Sequence, residues 1–281
     1  MECLFDICVK CDLPERCLRL KNKTEKNTKE PVFMGKVIAN ASWKGGTGKT
    51  TLAAYEAAIL AANGFKILVI DLDPNCAISQ IFGATFKDYT SLEFLTGVWD
   101  EYKAVYEIPG GWELKDGKID IIPGNLNNGL LNNIMDLSLK NALKRSGLIN
   151  KYDYIIIDPP GFWGVHTRNA VFAADTLIIP GTCSKIDFEA SKLFFKTLQQ
   201  SGVETDTYIC VNAYNEKTNL PGIWELYQNE FQEYLIRKPV PYIKSLKRLT
   251  ADIRNYVIQT TIKNRLDLFI EIAKGGCGNE K

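Results

Sequence analysis

Residues 43–51 read Trp-Lys-Gly-Gly-Thr-Gly-Lys-Thr-Thr, a run whose residue types suit phosphate binding. Glycines let successive backbone N–H groups turn inward around anionic oxygens, and a helix starting at the end of the loop adds its positive pole. Lys49 is placed to neutralise the outer phosphates of a nucleoside triphosphate, and the Thr50 hydroxyl to ligate Mg²⁺. Gly45, Gly46, Thr47, Gly48 and Thr51 complete the cradle. Where such loops usually begin with glycine this one has Trp43, and a second lysine, Lys44, follows it. Two apolar runs end on carboxylates. They are Val69-Ile70-Asp71-Leu72-Asp73-Pro74 and Ile155-Ile156-Ile157-Asp158-Pro159-Pro160, and a carboxylate at the end of a buried strand either caps that strand or serves a ligand site.

This chemistry requires each loop to follow a buried strand. Val37–Ala41 is a short apolar run entering the glycine loop, and Thr50–Ala62 is rich in Ala and Leu without Gly or Pro, hence helical, until Asn63-Gly64 stops it. Lys66–Ile70, Ile119–Ile122, Tyr154–Ile157, Thr176–Ile179 and Tyr208–Val211 read as strands, the last ending on Asn212. Leu126–Leu143 carries helix-like spacing, and Phe188–Gln200 is amphipathic at helical period. Strands alternating with helices, with Asp, Asn or a glycine turn at their carboxyl ends, predict an α/β fold. Its centre is a doubly wound, mostly parallel sheet flanked by helices, with ligands outside the carboxyl ends of the strands.

The loop resembles the deviant Walker A motif of the ParA/MinD family of P-loop ATPases, x-K-G-G-x-G-K-T-T. The resemblance runs in order through Asp71, Asp73, the Walker B-like Asp158 and the pair Asn169-Ala170, covering roughly residues 35–275. It implies that Asp71, with Asp73 beside it, orients the attacking water and that Asp158 holds Mg²⁺ through water. It implies slow, partner-stimulated hydrolysis of ATP with Mg²⁺ by a face-to-face homodimer, in which Lys44 crosses to the partner subunit's nucleotide. Asn212 stands where the family places an adenine-facing Asn. Pro239–Ile243, including Pro241, falls at the base-clamping segment, although the Arg-Asn often found there is replaced by Tyr242-Ile243. His166, the single histidine, is expected at the dimer face without a catalytic role, and Phe162 and Trp163 in interface packing.

Family membership leaves the job open among DNA partition, MinD-like positioning and Fe–S cluster carriage. Between Ile236 and Arg265 there are eight cations against one carboxylate, +7 in a chain whose total is +1, which leaves −6 elsewhere. Lys244, Lys247, Arg248, Arg254, Lys263 and Arg265 are therefore candidates for non-specific contact with double-stranded DNA phosphates. ParA-type proteins are implied to use a C-terminal basic surface in this way, together with a centromere-binding, ParB-like partner. Partition of a plasmid or chromosome is the expected function.

Leu266–Ile272 is apolar but carries Asp267 and Glu271, which an anionic bilayer repels, and this argues against a membrane-bound helix. There is no apolar run of spanning length and no signal-like start, so a cytoplasmic, reducing setting is expected. In that setting the eight cysteines are not disulfide staples. Four of them, Cys3, Cys8, Cys11 and Cys17, fall in a candidate Zn²⁺ or Fe–S arm with its linker (1–31), ahead of the ATPase domain (32–275) and a short tail (276–281). The C-terminal Cys-x-x-Cys of Fe–S scaffold ATPases is absent.

Overall fold

The computed structural model describes residues 35–85, 87–98, 105–108, 117–215, 217 and 219–242. Cys3, Cys8, Cys11 and Cys17 lie outside these residues, as do Lys244, Lys247, Arg248, Arg254, Lys263 and Arg265.

Among the described residues seven strands form one sheet: β1 Lys36–Asn40, β2 Lys66–Asp71, β3 Tyr106–Glu107, β4 Lys118–Ile122, β5 Tyr154–Asp158, β6 Thr176–Thr182 and β7 Asp206–Asn212. Their spatial order is β3-β4-β2-β5-β1-β6-β7, and every pairing is parallel except the short edge pair β3–β4. The parallel strands are covered on both faces, which is why they read as unbroken apolar runs rather than as alternations. Alternate residues of each strand enter opposite cores. Ile38, Ile67, Val69 and Ile156 face one core, whereas Val37, Leu68, Ile70, Ile155 and Ile157 face the other.

Helix α1, Lys49–Ala62, fills the first core and is buried along nearly its whole length. Its alanines let the backbone approach the sheet closely. Helix α2 is Ala77–Ile81 and α3 is Ser91–Thr96. The second core is covered by α4 Ser138–Arg145, α5 Val165–Ala173, α6 Lys185–Gln200 and α7 Ile223–Phe231.

The expected continuous helix over Leu126–Leu143 is not formed. A 3₁₀ turn at Leu126–Leu130 and α4 are separated by irregular backbone. The Asn125 side chain accepts from Asn127 N at 2.9 Å and starts the turn. Asn169 on α5 then accepts from Leu139 N at 2.9 Å and donates to Met135 O at 3.0 Å. A side chain thirty residues downstream thus sets where α4 begins, and local apolar spacing carries no trace of it.

Candidate functional site

The sheet brings the carboxyl ends of β1, β2 and β5 side by side, with Asp71 and Asp158 opposite one another in register. The glycine loop leaves β1 and enters α1 through Gly48, whose φ of 91° is left-handed. A Cβ there would also stand 2.1 Å from Asn212 Nδ2, so glycine is required twice over at this position. No side chain caps α1, and its first turn has no acid. By contrast, Thr90 and Glu93 form a capping box on α3, and Ser184 caps α6. The donors at the start of α1 are left directed at the loop, the arrangement an anion requires.

Lys49 is buried, and its Nζ donates to Lys44 O at 3.2 Å across the loop. Burial lowers its pKa, while the charges of Asp158 and Asp73 oppose that shift. The Thr47 hydroxyl meets that of Ser42 at 2.9 Å, closing the loop's base. The segment after β5 presses on the same loop: a Cβ on Gly161 would stand 2.9 Å from Lys49 Nζ. Trp43, in place of the usual glycine, packs on Phe194 of α6 at a centroid distance of 5.8 Å. Trp163 packs on the same ring at 5.5 Å. Trp163 is thus an intramolecular packing residue, and Phe162 beside it is exposed.

The three acidic residues occupy different environments. Asp158 is wholly buried and, among the described residues, neither carboxylate oxygen has a hydrogen bond of good geometry. Burial pushes its pKa well up, Asp71 adds to this, and the neighbouring Thr50 hydroxyl and Lys49 ammonium pull it back. Two orphan oxygens beside a hydroxyl form an oxygen donor set suited to a hard divalent cation such as Mg²⁺. Asp71 is also fully buried, but its oxygens are occupied. Oδ2 accepts the Ser79 hydroxyl at 2.6 Å and Ser79 N at 3.1 Å, and Oδ1 accepts Asp73 N at 3.0 Å. Burial lifts its pKa to about 7 against these donors. Asp73 is only partly buried; its Oδ1 accepts from Asn75 N and Asn75 Nδ2, both at 2.9 Å.

Asn212 braces the loop, its Nδ2 donating to Thr47 O at 3.0 Å while Oδ1 accepts Ala213 N at 2.8 Å. Pro241 bridges to Tyr214 in an extended segment alongside the end of β7, close in the fold to Asn212. His166, expected at a subunit face, is 2% exposed. Its Nε2 meets Asn128 O at 2.5 Å, which makes Nε2 the protonated nitrogen and ties α5 to the 3₁₀ turn. Burial lowers its pKa and favours this neutral form, against the pull of Asn128 and Asp73.

Three features of the site were not foreseen from the sequence. Lys44 Nζ forms an ion pair with Asp187 in the first turn of α6. Ser79 holds Asp71. Glu56, buried in α1, accepts from Asn40 Nδ2 at 2.8 Å and so joins the two elements that flank the glycine loop. Only Asp187 had a local signal, in the spacing Ser184-x-x-Asp187 of a helix start. Among the described residues there is no cluster of three or more His, Cys, Asp or Glu that could hold a metal, and no helix long and apolar enough to cross a membrane.

Residues 35–209 match the family described as AAA domain. The chain is 27% identical to the sporulation initiation inhibitor protein Soj of Bacillus subtilis, over 88% of this chain and 100% of Soj. It is 31% identical to the chromosome partitioning protein ParA of Caulobacter vibrioides, over 59% of this chain and 62% of ParA. A plasmid partition protein of Borrelia burgdorferi, solved with AMPPNP bound, superposes with a TM-score of 0.69 at 23% identity, covering 85% of this chain and 98% of that one.

Proposed function

The chain belongs to the AAA domain family, in the ParA/MinD class of P-loop ATPases, and from that membership we propose a Mg·ATP-dependent, dimerising ATPase that holds DNA without reading its bases and serves DNA partition. The observation that carries the proposal is the glycine loop with a second lysine at its lip, above two buried strand-end carboxylates in register. The name of the Caulobacter vibrioides relative, chromosome partitioning protein ParA, supports the partition role. The excess of cations in residues 236–265 supports the DNA contact.

In this reading the backbone of Gly45, Gly46, Thr47 and Gly48 wraps the phosphates, with Lys49 and the α1 donors countering their charge, while Thr51 follows in the first turn. Thr50 and Asp158 would hold Mg²⁺, whose positive charge offsets the charge that develops on the phosphoryl oxygens in transfer. Lys44 supplies a further cation to the partner subunit's phosphates. Asp71 and Asp73 divide the acidic role. Asp71, fixed by Ser79, shapes the loop, and Asp73, the member that solvent reaches, orients the attacking water. Asn212 and Pro241 border the place for the base. Turnover is slow until a ParB-like partner completes the water site, so the energy of hydrolysis goes into opening the dimer and releasing DNA.

DNA binding to a non-specific duplex, measured with ATP, with ADP and without nucleotide over a range of salt, tests the proposal. Binding should require ATP, and its log–log salt slope should steepen by about −0.9 for each phosphate contacted. Lys44→Ala should still bind nucleotide but lose both the dimer and the DNA. ATP-independent binding, or a slope near zero, would remove the partition role.

A further inference from the structure

Lys44 is the residue that the family resemblance sends to a neighbouring subunit, yet within the single chain its ammonium already has a partner. Nζ donates to Oδ1 of Asp187. The two ends of this ion pair are unequal: the Asp187 side chain is 5% exposed and that of Lys44 is 40% exposed.

The aspartate is fixed from several directions. Its backbone N–H donates to Ser184 Oγ at 3.1 Å, and its Oδ2 accepts the Thr182 hydroxyl. The Thr182 carbonyl in turn accepts the Tyr227 hydroxyl at 3.2 Å. Asp187 lies in the first turn of a 16-residue helix, where the free N–H groups and the dipole favour negative charge. If the lysine leaves, the carboxylate keeps Thr182 and the helix end. The lysine, on a half-exposed loop, is the mobile member of the pair.

We propose that Asp187 is a positioning residue that holds Lys44 in cis, so that two subunits join only when the phosphates of a bound triphosphate draw Lys44 away. The inference rests on the dimerising reading above and adds its threshold. One ammonium cannot satisfy the buried carboxylate and a neighbour's nucleotide together. Each dimer that forms must therefore break two such pairs, and the ATP concentration for joining rises accordingly. A diphosphate, with less negative charge at the lip of the loop, competes less well for the lysine.

Asp187→Asn keeps an acceptor for Thr182 and removes the charge that attracts Lys44. Sedimentation of the full-length variant should show dimers at lower ATP. A partly exposed ion pair predicts about a two- to fivefold effect per subunit, hence about four- to twenty-fivefold in the dimerisation constant, with nucleotide affinity of the monomer unchanged. An unchanged threshold in Asp187→Asn beside a wild type that does dimerise overturns the inference alone. A wild type that never dimerises with ATP overturns the reading beneath it as well.

Zero-length carbodiimide cross-linking of the wild type gives a readout that does not depend on how the variant folds. A Lys44–Asp187 cross-linked peptide should form within the chain in the absence of nucleotide and decline several-fold when a non-hydrolysable ATP analogue and Mg²⁺ are added. Its absence without nucleotide, or an undiminished yield with the analogue, refutes the cis hold.

Discussion

Glu56→Gln should make the protein more stable, and by an amount that grows with pH. Glu56 is wholly buried in α1, and burial raises its pKa from 4.5 to about 8 against the hydrogen bond from Asn40. Two further atoms of the pair, Glu56 Oε1 and Asn40 Oδ1, are buried without partners among the described residues. A proton on Oε1 would let the neutral acid donate to Asn40 while still accepting from it, and a glutamine can make the same two-way contact. The sign follows from linkage. A carboxyl whose folded pKa is raised contributes fully below its unfolded value and loses that contribution as pH rises towards the folded one. At one pKa unit per 1.36 kcal/mol, the ionisable side chain lowers stability relative to glutamine by about 1 kcal/mol near pH 5.5. Near pH 8.5 the difference has a ceiling of about 5 kcal/mol. Urea titrations of wild type and Glu56→Gln should therefore show a difference that grows by about 3 to 4 kcal/mol between these two pH values. Parallel pH profiles would mean that Glu56 ionises freely in the folded state, and the buried link between β1 and α1 would then be wrong.

Three further outcomes follow from the site. Asp158→Asn should raise the thermal midpoint in chelator without nucleotide, because it removes a buried carboxylate whose pKa is pushed up by burial and by Asp71. The same variant should abolish the gain in ATP affinity that Mg²⁺ gives the wild type, and a lowered midpoint with the Mg²⁺ effect intact would refute the metal assignment. Asp73→Ala should reduce hydrolysis by about 100-fold or more without unfolding the protein, whereas Ser79→Ala should cost about 1–3 kcal/mol in a denaturant titration by leaving Asp71 short of a donor. The reverse pattern would transfer water orientation to Asp71. Asn169→Ala should cost about 1–3 kcal/mol by freeing Leu139 N and Met135 O at the start of α4, and a change under about 0.5 kcal/mol would show that water replaces the cap.

The strand runs, the glycine loop and the carboxylates at strand ends were legible in the sequence because each depends on local chemistry. Buried parallel strands need unbroken apolar residues, phosphate loops need glycines, and a helix that follows one needs no cap of its own. The β1, β2 and β5 runs and α1 accordingly lie within a residue or two of where their composition puts them. The break in Leu126–Leu143, the clamp of His166 on Asn128, the hold of Ser79 on Asp71 and the pairing of Lys44 with Asp187 had no comparable signature. Ser79 reaches Asp71 through the turn that leads from β2 into α2, and the others join residues that the tertiary fold brings together from distant parts of the chain; apolar spacing encodes neither. The sequence by itself determined which residues can bind phosphate and a divalent cation. Only the tertiary structure decided which carboxylate is enclosed, which remains open to water and which side chain holds the extra lysine, because burial and partners are set by what packs on top.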